Sequence, residues 1–236
     1  MKFNRGEKMA VYAIADLHLD PIGDKPMDVF DSKWEDHERK IFYNWNKRIK
    51  DNDIVLLAGD ISWGLKLKEA EIDLKKIVNL PGYKIISKGN HDYWWETKSK
   101  LNKLQLDSIH FLFNDGYKYN NVGIAGTRGW ISKDSDEFQD KDKKIFEREL
   151  NRLTLSLECI KEMPVKIVMI HYPPFNISGK PNEFVEIMKK YNVDICVYGH
   201  LHGEGHKHIK EGIIDGIEFR CIASDYINFI PIKILD

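Results

Sequence analysis

The sequence is short of cysteine, of long apolar runs and of net charge. Three of its 236 residues are cysteines, Cys159, Cys196 and Cys221, an odd number at wide spacing and each inside an apolar-rich segment. This excludes a disulfide framework and predicts buried, reduced thiols in a cytoplasmic protein. No apolar run approaches the roughly 20 residues needed to cross a bilayer. The opening MKFNRGEKMA lacks the apolar core of a signal peptide. A cytoplasmic protein with no membrane partner is therefore expected. Basic and acidic residues almost cancel, to a formal net charge of −1, so no global field draws the chain to nucleic acid. No basic run with interleaved aromatics is present either, although a nucleic acid substrate stays open. Oligomeric state has no signature.

What is present is an alternation of β-type and helical runs. MAVYAIA (9–15), DIVLLAG (53–59), YKIISKG (83–89), VKIVMI (165–170) and DICVYG (194–199) are short, β-branched and apolar, as strands buried on both faces are. Between them, helical spacing links Trp34, Ile41, Trp45 and Ile49. It also links Leu67, Ala70, Leu74 and Ile77; Phe146, Leu150, Leu153, Leu157 and Ile160; and Phe184, Met188 and Tyr191. IHFLFND and YNNVGIAG read as a hairpin, and 206–234 holds further short β-type runs that place His206 and His208 on a solvent-facing strand. No linker or repeat interrupts the chain, so residues 1–236 are expected to form one α/β domain.

Each of the five apolar runs ends on metal-capable residues. Asp16 and His18 follow the first, Asp60 the second, Asn90, His91 and Asp92 the third, His171 the fourth, His200 and His202 the fifth. In α/β sheets ligands bind outside the carboxyl ends of strands, which is where all five clusters fall. Extended backbone would turn Asp16 with His18, and His200 with His202, to a common side. Gly59, Gly89 and Gly199 leave room beside them. The donors are carboxylate, amide and imidazole without thiolate, which favours Mn, Fe or Zn in an open site over a structural zinc–cysteine site. Such residues at all five strand ends are too many for one tetrahedral ion and suit two ions sharing a carboxylate.

The order DLH, GD, GNHD, H, GHLH resembles the calcineurin-like metallophosphoesterase superfamily, with motifs spanning residues 16–202. The resemblance implies a four-layer αββα sandwich, two mixed β-sheets face to face with helices outside. It implies that Asp16, His18, Asp60 and His202 bind one transition-metal ion and Asp60, Asn90, His171 and His200 the other, with Asp60 bridging. His91 would meet the substrate as general acid, oriented by Asp92. Two ions of this kind can acidify a shared water to hydroxide and clamp both oxygens of an in-line phosphoryl displacement. The substrate would be a small phosphomonoester or phosphodiester.

Departures from the motifs narrow the reading. GDISWG lacks the arginine of the protein-phosphatase GDxVDRG, and GNHD stands where those enzymes have GNHE. His91 also argues against lipid-headgroup pyrophosphatases, which usually have arginine there. GNHDYWW and DKPMDVF together resemble a bacterial branch of predicted phosphohydrolases. Arg128, in AGTRGW, could supply the missing phosphate-binding guanidinium as a substrate-binding residue. Tyr93, Trp94 and Trp95 read as core packing at a helix start. The competing classes are a non-catalytic protein-interaction scaffold on the same fold and, among enzymes, a cyclic-nucleotide phosphodiesterase or a nuclease. The 19–33 and 127–140 loops are the segments best able to shape access.

Overall fold

A computed structural model describes residues 9–236. The central strands are the apolar runs read above, β1 (Val11–Ile14), β2 (Ile54–Ala58), β3 (Tyr83–Ser87), β7 (Val165–Ile170) and β8 (Ile195–Tyr198). They divide between two mixed sheets. In the first, β1, β2, β3 and β4 (Ile109–Phe111) are parallel, and β11 (Ile232–Leu235) adds antiparallel beside β1. In the second, β6 (Val122–Thr127), β7, β8 and β10 (Ile217–Cys221) are parallel. β5 (Tyr117–Tyr119) and β9 (Gly212–Ile214) close its edges antiparallel.

The two-residue period of a strand explains why these runs are apolar throughout. Along β2, Ile54, Leu56 and Ala58 pack between the sheets, while Val55 and Leu57 face the helices outside. Along β7, Ile167 and Met169 point inward, Val168 and Ile170 outward. Ile41 and Trp45 of α1 (His37–Arg48) and Ala70, Leu74 and Ile77 of α2 (Leu67–Val78) cover the first sheet with Leu101 of α3 (Lys98–Asn102). Phe146, Leu153, Leu157 and Ile160 of α4 (Asp140–Ile160) and Phe184, Val185 and Met188 of α5 (Glu183–Lys190) cover the second. Helix, sheet, sheet, helix is the expected four-layer sandwich.

Three local expectations are corrected. IHFLFND and YNNVGIAG do not pair: β4 adds parallel to β3 in the first sheet, and the hairpin is β5–β6 in the second. Cys159 is exposed, because it lies off the apolar stripe of α4, whereas Cys196 and Cys221 are buried. His206 and His208 sit in a 3-10 turn, Gly203–His208, instead of a strand.

Candidate metal centre

The carboxyl ends of β1, β2 and β3 meet those of β7 and β8 at one edge of the sandwich, and the seven metal-type residues converge there. The β1 and β2 loops are stitched together: the Asp16 N–H donates to Gly59 O at 3.0 Å and the His18 N–H to Asp60 O at 3.0 Å. Convergence does not come from extended backbone. Asp16 (φ 59°), His18 (φ 45°), Asp60 (φ 54°) and His200 (φ 73°) all adopt the left-handed region, uncommon for residues with a Cβ; His202 is extended. Pairing of Asp16 with His18 thus arises from kinked loops. Two glycines admit the carboxylates. A Cβ on Gly89 would fall on Asp60 Oδ1, and one on Gly199 on Asp16 Oδ2.

Asp16 and Asp60 are buried, 0% and 2% exposed, and no lysine or arginine pairs with either among the described residues. Asp16 accepts the main-chain N–H of His200 at 3.0 Å and Asp60 that of His91 at 2.8 Å, and their charged partners are imidazoles. Asp60 Oδ2 lies 3.4 Å from His171 Nε2 and 3.9 Å from His18 Nε2, and Asp16 Oδ1 lies 3.5 Å from His202 Nε2. Asn90 Oδ1 sits 2.6 Å from His171 Nε2 and 2.9 Å from His200 Nδ1. Asp16, His18 and His202 offer ligand atoms within 4.8 Å of one another, as do Asp16, Asp60 and His171. Asp16 is common to the two groups, and Asp60 belongs to the second while facing His18 of the first at 3.9 Å.

The electrostatics divide the imidazoles. Burial would lower the His171 pKa, but Asp60 and Asp16 outweigh it and lift it to about 9. Burial opposes His202 too, yet Asp16 and Asp225 raise it to about 10. His18 and His200 remain dominated by burial, at about 4 and about 3. Buried carboxylates require compensating positive charge. Here only protons on two imidazoles supply it, at the cost of masking lone pairs that ligate well. The His202 Nε2 is buried with no hydrogen-bond partner, and its Nδ1 lies 2.8 Å from Asp225 Oδ1. This donor set of carboxylates, imidazoles and an amide oxygen could hold borderline divalent ions.

His91 projects beside this cluster. Its main-chain N–H donates to Asp60 Oδ1 at 2.8 Å; its half-buried ring lies 4.7 Å from Trp63 and makes no hydrogen bond among the described residues. Burial holds its pKa below the usual value, against the pull of Asp60. Asp92 does not orient that ring. Its carboxylate accepts the N–H groups of Gly89 (2.7 Å), Asp60 (2.9 Å) and Ile61 (2.9 Å), and the Trp94 indole (3.0 Å). It is a positioning residue that ties the GNHD loop to the GD loop. Burial and the neighbouring Asp60 raise its pKa to about 6. Trp94 packs in the core as expected, whereas Tyr93 is 62% exposed.

Arg128 reaches the site through its backbone: its carbonyl accepts the N–H of His171 at 3.1 Å and of Tyr172 at 3.0 Å. Its guanidinium lies 4.2 Å from the Trp130 ring and 3.5 Å from Glu149 Oε1. Beside His200 a cleft of about 470 Å³ opens, walled by Trp130, Tyr172, Phe175, Ile177 and Leu201. Sequence reasoning missed Asp225, which touches both His202 and His206 (3.1 Å from Oδ2). A signal existed: β10 is parallel to β8, so CIASD also ends at the ligand edge.

Residues 9–204 match the calcineurin-like phosphoesterase family. The chain belongs to that family. Membership supports a metal-dependent phosphoesterase, and the Asp/His groups of this phosphoesterase fold could bind its metals. Two solved structures share the fold at low identity. One is AQ665 from Aquifex aeolicus, a protein of unknown function (18% identical, TM-score 0.52, covering 96% of each chain). The other is the phosphopantetheinyl hydrolase of Mycobacterium tuberculosis (13% identical, TM-score 0.56, covering 96% of this chain and 95% of that one). No curated protein matches the chain. Among its described residues no helix is long and apolar enough to cross a membrane.

Proposed function

We propose that the protein is a dinuclear metal-dependent phosphoesterase acting on a small phosphomonoester or phosphodiester. The observation that carries this reading is the pair of buried carboxylates, Asp16 and Asp60, whose only cationic partners among the described residues are imidazoles. Asp16, His18, Asp60 and His202 would hold one ion and Asp60, Asn90, His171 and His200 the other, with Asp60 shared. Bound ions would supply Lewis acidity, lowering the pKa of a water and neutralising phosphoryl charge.

The protein's own residues do the rest. The Asp92 carboxylate fixes the Asp60 and Gly89 amides, so the GD and GNHD loops keep a common register. His91, with a free ring beside Asp60, is placed to protonate a leaving oxygen. Tyr172, its ring centroid 4.1 Å from that of His200 and tilted 40° to it, packs against the His200 imidazole and lines the cleft for the organic part of the ester. Arg128 belongs to substrate binding. The whole described chain serves this one site, and we assign it as a single domain. A scaffold that had abandoned chemistry would have no need to keep every ligand position and His91 filled.

Purified protein with Mn²⁺ should hydrolyse at least one class in a panel of phosphomonoesters, phosphodiesters and cyclic nucleotides. Absence of turnover on all three, in protein shown to carry metal, would favour the scaffold.

A further inference from the structure

A second hollow, of about 310 Å³, lies against the metal-bearing loops but is walled by none of the seven ligand-type residues. Its walls come from the ends of β3 and β6, one strand from each sheet. Lys88 precedes Asn90 by two positions, and Arg128 supplies the carbonyl that receives the His171 N–H. The hollow is therefore built into the same edge as the metal centre.

Its charge is unbalanced. Lys88, Arg128 and Arg152 line it with two carboxylates, Glu149 and Glu96. Glu96 is engaged by Lys100 at 2.9 Å. Glu149, fully buried, accepts from Thr127 Oγ1 at 2.6 Å and Arg152 Nη1 at 2.7 Å, with Arg128 Nη2 at 3.5 Å and Arg148 Nε at 3.7 Å. One carboxylate thus serves three guanidinium groups. The half-buried Lys88 side chain makes no hydrogen bond or ion pair among the described residues. Two polar atoms on the lining residues are buried without partners, Arg128 Nε and Ser87 Oγ. Buried donors without acceptors are uncommon and costly. Two buried donors left over at one hollow, with the unpaired ammonium of half-buried Lys88 beside them, call for an anion there.

We propose that this hollow binds a phosphate-type anion, as a second anion site beside the metal centre. Its volume is at the lower end for ligand pockets and admits a phosphate with part of the skeleton carrying it. The planar fork of Arg128 and the compact charge of Lys88 complement such an oxyanion, and the Ser87 hydroxyl donates to it. The anion is either a second phosphate on the substrate or a free ion; the substrate source rests on the phosphoesterase reading.

The test uses metal-loaded protein, wild type and Lys88→Met, with Lys88→Arg and Arg152→Met as companions. Calorimetric titration with inorganic phosphate should show two binding events in wild type and one in Lys88→Met. Kinetics compare an ester bearing a second phosphate with the same ester lacking it. If the anion is carried by the substrate, the ratio of their kcat/KM values should fall at least ~10-fold in Lys88→Met and recover in Lys88→Arg. If it is a free ion, the second event disappears and the ratio holds. A single phosphate event in wild type, or a second one surviving both Lys88→Met and Arg152→Met, together with an unchanged ratio, overturns the proposal. Failure of every ester to turn over would defeat the phosphoesterase reading and leave the calorimetric arm to decide the anion site.

Discussion

His202 faces Asp225 with one ring nitrogen and Asp16 with the other: Nδ1 lies 2.8 Å from Asp225 Oδ1, and Nε2 lies 3.5 Å from Asp16 Oδ1. In the neutral ring that ligation requires, the Nδ1 proton is donated to Asp225 and Nε2 presents its lone pair toward Asp16. Carboxylates behind ligating histidines fix the tautomer and strengthen the ligand, and their loss typically costs about 10–100-fold in metal affinity. Asp225→Ala should weaken one of two metal-binding events by that factor in a metal titration. Asp225→Asn, which keeps an acceptor, should fall between Ala and wild type.

His91→Ala should retain metal and fold. Loss of a general acid costs about 10²–10⁴-fold, and the loss should grow with leaving-group basicity. An alkyl phosphoester should therefore suffer far more than a p-nitrophenyl ester, whose leaving group departs without a proton. Equal losses across leaving groups of graded pKa would make His91 a binding residue instead.

Asp92→Ala removes the acceptor of the Gly89, Asp60 and Ile61 amides, all buried. An unsatisfied buried donor costs about 1–3 kcal/mol, so the variant should lose roughly 3 kcal/mol or more in urea unfolding. Activity should fall as well, because Asp60 and Asn90 lose their common anchor. Normal stability with lost activity would point to a direct role with the substrate.

Without metal, stability should peak near neutral pH. His171 and His202, raised to about 9 and about 10, stabilise fully below the unfolded value of 6.5 and lose that contribution as pH rises through 9 and 10. His18 and His200, depressed to about 4 and about 3, stabilise above 6.5 and lose it as pH falls toward those values. Ligation requires neutral imidazoles, so metal binding should release protons near pH 7.5 and flatten the alkaline limb. Thermal melts across pH, with and without Mn²⁺, check both limbs. A metal-free protein equally stable at pH 7 and pH 10 would remove the imidazolium assignment.

The sandwich was legible because β2 and β7 are apolar on both faces, a pattern that only a doubly covered strand needs. The site was legible because each of those runs stops on a ligand-type residue. The left-handed backbone at Asp16, His18 and His200 was not, since side-chain identity says little about φ unless glycine is present. Nor was the sheet to which β4 belongs, as a three-residue strand carries no record of its neighbour. Asp225 escaped because β10 alternates buried and half-buried residues and lacks the apolar block that flagged the other strands. Asp92 was placed on the right loop but given the wrong contact, because proximity in sequence to His91 does not set the direction of its carboxylate.

The most direct test of the account is metal content measured together with phosphoester hydrolysis in one preparation, before and after exhaustive chelation. Two ions per chain, loss of hydrolysis on chelation and its recovery with Mn²⁺ are the predicted results. Asp60→Asn should lose more metal than Asn90→Ala, because Asp60 faces both His18 and His171. Full hydrolytic activity in protein shown to be free of metal would contradict the account.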